Sequence, residues 1–146
     1  MAFRMLAPTA EPSATTMNRT TSRGTALRWT AAFCALASAV LHLLLVPSHL
    51  EEMPYIGVLF LVGGVVLLAV AVGLVARRRP LVAGWVGAAT SVGMIVGFVL
   101  SRTVGLPGFH ETDWEPPYGI LSLVAEGVFV LAFVMWVATA SSERPR

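Results

Sequence analysis

Residues 55–80 read YIGVLFLVGGVVLLAVAVGLVARRRP. No charged or amide side chain interrupts the stretch from Tyr55 to Ala76, and the three arginines at positions 77–79 follow it directly. About 20 apolar residues are enough to cross the ~30 Å hydrocarbon core of a bilayer as an α-helix, which rises ~1.5 Å per residue. The stretch therefore predicts a transmembrane helix that ends at a positively charged membrane surface.

Three other apolar runs of similar length cover residues 27–46, 81–100 and 120–140. The chain of 146 residues is 56% hydrophobic and only 12% charged, whereas about 25% of the residues of a typical soluble domain are charged. The sequence therefore predicts an all-α fold, a bundle of four transmembrane helices that forms one domain. Its first partner is the lipid bilayer. The basic residues cluster at the ends of the apolar runs, so we expect no nucleic acid partner.

The arginines predict the orientation of the bundle. If the N-terminus lies inside, every arginine except Arg102 falls in an inner segment, as the positive-inside rule requires. All basic residues are arginine and none is lysine, which is typical of a GC-rich bacterial genome. We therefore expect a multi-pass plasma-membrane protein of a bacterium with both termini in the cytoplasm. The acidic residues of the two outer loops form a predicted outer acidic cluster, which consists of Glu51, Glu52, Glu111, Asp113 and Glu115.

The segments before and after the four runs are polar. Residues 1–26 are rich in Ser, Thr, Ala and Pro and lack hydrophobic periodicity, which predicts a disordered cytoplasmic tail. Residues 141–146 are expected to form a second, short cytoplasmic tail. Met17 precedes Asn18 and Arg19, so a natural start at Met17 instead of Met1 is an alternative.

Small residues recur at every fourth position of two runs. This spacing lets helix backbones approach closely, which favours packing within the bundle or, alternatively, a homodimer or contact with another membrane protein. In the first run these residues are Ala31, Ala35 and Ala39, and in the third run they are Ala89, Gly93, Gly97 and Ser101.

All three histidines, His42, His49 and His110, lie in the predicted outer half. Imidazole together with the nearby carboxylates suits a divalent metal such as Zn²⁺ or Cu²⁺, and Met53 would suit Cu⁺. The histidines therefore form a candidate metal site, although no spacing typical of a metal motif fixes its geometry. The single cysteine, Cys34, excludes an internal disulfide and a CxxC pair.

Glu126 lies within the fourth run, about two helical turns below its outer end. A charged side chain at the centre of a bilayer costs roughly 2.5–3.5 kcal/mol on insertion scales, so this carboxyl must face the bundle and find a partner or be protonated. Ser122 lies one turn above it, His42 lies at a similar depth on the first helix, and Arg102 ends the third. We expect a Glu126–Arg102 pair or a Glu126–His42 hydrogen bond. These side chains would act as a buried polar clamp or as a proton site.

Two stretches carry a resemblance. They are HLLLVPSHLE at residues 42–51 and SRTVGLPG at residues 101–108, followed by a helix that contains Glu126. The chain resembles small, functionally uncharacterised four-helix membrane proteins of high-GC actinobacterial type over roughly residues 28–138. The resemblance implies a membrane location and a polar cluster at the outer face, and it implies no reaction.

Motifs for phosphate binding, dinucleotide binding, haem attachment and serine hydrolysis are absent from the sequence. We therefore expect no autonomous catalysis and no resident organic cofactor. The first hypothesis is an accessory or interaction protein that acts through its outer loops. The alternatives are extracytoplasmic binding or handling of a metal ion, and proton-coupled transport of a small molecule by a dimer. The transport hypothesis requires a cavity that reaches Glu126.

Overall fold

The computed structural model describes residues 14–114 and 116–142, with side chains at positions 22–114 and 116–141. This part of the chain folds into four α-helices, α1 (Ala14–Glu52), α2 (Pro54–Val75), α3 (Pro80–Thr103) and α4 (Tyr118–Ser142). Each helix contains a segment that is long and apolar enough to cross a membrane. The prediction of an all-α protein with four apolar spans is confirmed.

The helix boundaries differ from those predicted, most of all in α1. This helix begins at Ala14, so residues 14–26, which were expected to be disordered, are helical. No proline lies between Pro12 and Pro47, so no proline breaks the helix before the apolar run. The rest of the predicted N-terminal tail, residues 1–13, and residues 143–146 of the predicted C-terminal tail lie outside the described residues.

Helix α1 also continues through Pro47 to Glu52. The predicted apolar run ended at residue 46, so the helix is longer than predicted at this end as well. Two side chains donate hydrogen bonds to the Leu45 carbonyl, two residues before the proline: Ser48 Oγ at 2.9 Å and His49 Nδ1 at 2.9 Å. The helix therefore carries His49 on the same continuous element as His42.

Most of the described arginines lie at one end of the bundle, which we call the arginine end; it includes Arg28 and the α2–α3 turn at residues 77–79. Arg28 is buried, and its Nη1 donates to the Leu74 carbonyl at 3.2 Å. Leu74 O is one of the last carbonyls of α2, which have no partner within the helix. Arg28 therefore caps α2 in addition to marking the membrane face.

The core of the arginine-end half is close-packed. Ala31 and Ala35 of α1 are 1% exposed, as the four-residue spacing predicts. Phe129 and Phe133 of α4 are also fully buried, and they lie against backbone positions of α3 where any side chain would collide with them. Small residues therefore bring α1 and α3 against α4 in this half.

The second half of α3 behaves differently. Gly93 and Gly97 were expected to mediate close helix packing, but a Cβ atom added at either position would meet no atom within 4 Å. The glycines that mediate close contact in α3 are Gly84 and Gly87, nearer the arginine end. The second half of α3 therefore leaves open space beside these two glycines, while Met94 packs against Gly63 of α2. We call this end of the bundle the histidine end because it contains His42 and His49.

Candidate functional site

A cavity of about 390 Å³ lies at the histidine end. All four helices line it, and residues Leu106 and Phe109 of the α3–α4 loop cover part of it. Its volume falls in the ~300–1,000 Å³ range of small-molecule sites, which are usually apolar with a few placed polar groups. Most of the lining is apolar, and the polar lining side chains are Thr90, Ser101, Ser122, His42, His49, Arg102 and Glu126.

Glycines of α3 account for part of the space. Gly93 and Gly97 line the cavity and leave it open on the α3 side, since they carry no side chain to fill it. On α2, Gly63 provides no such space, because the methyl group of Met94 packs against it. Two lining residues, Leu59 of α2 and Gly93 of α3, are exposed at the outside of the bundle. The cavity therefore reaches the outer surface of the bundle between α2 and α3.

Glu126 lies at the buried side of the cavity, about 12 Å along α4 from its first residue at ~1.5 Å per residue. Its Oε1 accepts a hydrogen bond from Ser38 Oγ at 3.1 Å. The same oxygen is 3.5 Å from His42 Nε2, an ion-pair distance. Both side chains are buried, with 7% of the His42 side chain and 2% of the Glu126 side chain exposed. Glu126 and His42 are therefore in contact at the distance of an ion pair, and Ser38 is a third member of the cluster.

The backbone of α1 sets the tautomer of His42. Its Nδ1 is 2.9 Å from the Ser38 carbonyl, which accepts hydrogen bonds and cannot donate them. Nδ1 therefore carries a proton, and Nε2 is the ring atom that faces Glu126. Two arrangements keep this pair neutral inside the bundle: an imidazolium facing a carboxylate, or an imidazole facing a carboxylic acid. In both arrangements the pair shares one proton, which is bound to Nε2 in the first and to the carboxyl group in the second.

His49 follows His42 by two helical turns and repeats this arrangement. Its Nδ1 donates to the Leu45 carbonyl at 2.9 Å, and its ring stacks on Phe60 of α2 with a centroid distance of 4.2 Å. The His42 ring also contacts Phe60, at 5.0 Å. Phe60 therefore fixes both imidazoles in the wall of the cavity.

Arg102, the other partner expected for Glu126, is instead engaged by the α3–α4 loop. Its Nε donates to the Asp113 carbonyl at 2.7 Å, and its Nη1 donates to Ser101 Oγ at 2.9 Å. The guanidinium also lies 3.6 Å above the centre of the Phe98 ring. Arg102 therefore fastens the α3–α4 loop to the end of α3, beside the cavity.

The loop itself is tied together by hydrogen bonds. Leu106 and Phe109 exchange backbone hydrogen bonds of 2.7 and 2.9 Å, and Glu111 N donates to the Ser101 carbonyl at 3.0 Å. Tyr55 Oη donates to the Pro107 carbonyl at 2.8 Å, which ties the loop to α2. Leu106 and Phe109 are thereby held against the cavity.

The residues of the candidate metal site do not form one group. His42 and His49 are buried in the bundle, whereas His110 is exposed in the loop. Among the described residues, no group of three or more His, Cys, Asp or Glu side chains is placed to hold a metal ion. Of the predicted acidic cluster, Glu51, Glu52 and Asp113 are exposed and Glu111 is partly exposed, while Glu115 lies outside the described residues.

Ser122, the remaining predicted site residue, is buried and lines the cavity one turn above Glu126. Its Oγ donates to the Gly119 carbonyl at 2.9 Å. No sequence feature distinguishes Phe60 from the other apolar residues of its run. Ser38 could have been found, because it lies one helical turn before His42 and is therefore on the same face of α1.

Comparisons of this chain with protein-family models, with curated protein sequences and with solved structures found no match. The resemblance to actinobacterial membrane proteins stays a prediction. The chemistry of the cavity is therefore the basis for a proposed function.

Proposed function

We propose that this protein binds a small, mostly apolar molecule in the cavity at the histidine end, with the polar group of the ligand on the His42–Glu126 pair. The observation that carries the proposal is the cavity of about 390 Å³ whose lining includes both members of this buried pair. A carboxyl group within a membrane span is costly and usually marks a ligand or proton pathway. A role limited to packing would not require open space beside it.

We further propose that the protein lies in the plasma membrane of a bacterium with both termini in the cytoplasm. The arginine end then faces the cytoplasm, and the cavity lies in the outer half of the bilayer. The separation of arginines from the histidines and loop acids supports this orientation. The protein would act without catalysis of its own, as a binding or accessory component whose outer loop covers the ligand.

Proton-coupled transport is a second candidate, because the cavity reaches Glu126, as that hypothesis requires. The arginine-end half is closed by fully buried side chains, among them Leu67, Leu74 and Phe129. Transport would therefore need this half to open. The partner proposed for that movement is a second copy of the chain. Binding without transport needs no such change.

Ligand-induced stabilisation tests the binding function. The chain has one cysteine, Cys34, which is buried, so a thiol-reactive fluorophore reports unfolding of the detergent-solubilised protein. Phenylbutanol, an apolar molecule with one hydroxyl, is the probe. We expect it to raise the unfolding temperature in a concentration-dependent manner, since a ligand that binds only the folded state stabilises it.

Two leucine substitutions give matched variants for this test. Gly97→Leu fills the cavity, whereas Gly127→Leu adds the same side chain at an exposed position of α4 that is outside the cavity lining. Neither new Cβ would meet an atom within 4 Å. The stabilisation by phenylbutanol should be lost in Gly97→Leu and kept in Gly127→Leu. Equal responses of the two variants would show that the probe does not bind in the cavity.

A further inference from the structure

The polar atoms of the cavity indicate which head group it would take. Ser101 Oγ donates its proton to the Phe98 carbonyl at 2.8 Å, and Ser122 Oγ donates to the Gly119 carbonyl at 2.9 Å. A hydroxyl group has a single proton to donate. Both serine oxygens can therefore only accept a hydrogen bond from a molecule in the cavity.

The buried pair has the same character. The Nδ1 proton of His42 is directed to the Ser38 carbonyl, and Ser38 Oγ donates to Glu126 Oε1. What remains for a ligand is Nε2 of His42 and the carboxyl group of Glu126, with one proton between them. Glu126 is also the only acidic side chain of the cavity lining among the described residues. The deep part of the cavity thus offers acceptors and one potential negative charge.

Arg102 and His49 also line the cavity, and each is engaged by other groups. Arg102 is held at the end of α3 by the Asp113 carbonyl, Ser101 Oγ and the Phe98 ring. His49 directs its Nδ1 to the Leu45 carbonyl and stacks on Phe60.

We propose, on the basis of the binding function above, that the ligand is a lipophilic amine whose ammonium group pairs with Glu126 while its apolar part lies between α2 and α3. The opening on the lipid-facing surface beside Leu59 and Gly93 suits a molecule that dissolves in the bilayer. Because the ammonium group replaces the proton of the pair, the net charge of the site stays the same. The protonated amine enters, the pair releases its single proton, and the occupied site holds an ammonium, a carboxylate and a neutral imidazole.

A series of head groups on one apolar body tests this assignment. The probes are phenylbutylamine, phenylbutanol and phenylbutyrate, and affinity is measured from the rise in unfolding temperature. The amine should bind about tenfold more tightly than the alcohol, because a charge-assisted hydrogen bond is stronger than a neutral one. Phenylbutyrate should bind more weakly than both. Tightest binding of the carboxylate would overturn the proposal and assign the ligand to Arg102 instead.

Proton release gives an independent readout. In weakly buffered solution in which the amine is protonated, saturation with phenylbutylamine should release one proton per protein molecule, and phenylbutanol should release none. Amine binding with no proton release would contradict the exchange at the His42–Glu126 pair.

The variants separate this proposal from the binding function. Glu126→Gln keeps the shape of the side chain and should abolish both the amine preference and the proton release, so that the amine is no longer bound more tightly than the alcohol. Gly97→Leu should abolish binding of all probes, and Gly127→Leu should behave as wild type. If wild type binds alcohol and amine equally, the binding function stands and the amine assignment fails. If wild type binds neither, both fail.

Discussion

His42 Nε2 and Glu126 Oε1 lie 3.5 Å apart, with Ser38 Oγ donating to the same carboxyl oxygen at 3.1 Å. The three side chains join α1 to α4, and all three are buried. A buried polar group that loses its partner retains the cost of desolvation. The cluster therefore ties the stability of the bundle to each of its members.

Removal of one member should destabilise the protein. Glu126→Ala leaves Ser38 Oγ and His42 Nε2 without this acceptor, and Ser38→Ala removes the hydrogen bond to the carboxyl group. We expect each to lower the free energy of unfolding by about 1–3 kcal/mol. The measurement is thermal or denaturant unfolding in detergent, followed by the reactivity of Cys34. Ser141→Ala, at an exposed position, is the control and should change stability little. Wild-type stability of both cluster variants would show that the cluster is not a clamp.

Replacement of Ser91 should change stability in the opposite direction. Its side chain is buried, and its Oγ has no hydrogen-bond partner among the described residues. Alanine removes the unpaired hydroxyl at almost unchanged shape. Ser91→Ala should therefore leave stability unchanged or raise it by about 1 kcal/mol. A clear loss of stability in the same unfolding assay would mean that the hydroxyl has a partner in the membrane-embedded protein.

Glycines of the same helix should respond differently to alanine. A Cβ at Gly84 or Gly87 of α3 would collide with Phe133 or Phe129, whereas one at Gly93 or Gly97 would enter open space. Alanine at the last two positions should stabilise by up to about 1 kcal/mol through helix propensity. Alanine at the first two should destabilise by about 1–3 kcal/mol through overpacking. Equal unfolding temperatures for all four variants would contradict the open cavity.

The sequence predicts some features of this structure and not others. The four spans are predictable because a helix in lipid must satisfy its own backbone and needs about 20 apolar residues. The His42–Glu126 contact is predictable because the depth of each residue follows from the ends of its span. The cavity is not, because the spacing of Gly93 and Gly97 is the same whether a neighbouring helix fills the space or stands away from it.

The partner of Arg102 shows a second limit of sequence reasoning. Depth alone brings Arg102 and Glu126 to the same end of the bundle. The path of the α3–α4 loop decides the outcome, because it brings the Asp113 carbonyl to 2.7 Å from Arg102 Nε. Loop geometry of this kind depends on the φ angles of +81° at Gly105 and +69° at Gly108, which the residue types permit but do not specify.

Arg102→Ala should therefore destabilise the α3–α4 loop more than the core of the bundle. It removes the hydrogen bonds to the Asp113 carbonyl and to Ser101 Oγ. We expect faster amide hydrogen exchange across residues 104–114 and little change in the exchange of α1. Arg102→Lys should give partial protection, because an ammonium group donates from one point and lacks the planar geometry of the guanidinium. If amide hydrogen exchange became faster around Glu126 and not in the loop, Arg102 would support the buried carboxyl group after all.

The proposed orientation can be tested with single cysteines in a Cys34→Ala background. Thr112 in the α3–α4 loop and Ser141 near the end of α4 are both exposed. If both termini are cytoplasmic, a membrane-impermeant maleimide added to intact cells should label Thr112→Cys. It should label Ser141→Cys only after the cells are permeabilised. The arginines at positions 77–79 provide the reason, since positively charged segments stay on the cytoplasmic side. Labelling of Ser141→Cys in intact cells would show that the topology is the reverse of the one proposed and would place the cavity in the inner half of the bilayer. Replacing these three arginines with glutamine should weaken the sidedness of labelling.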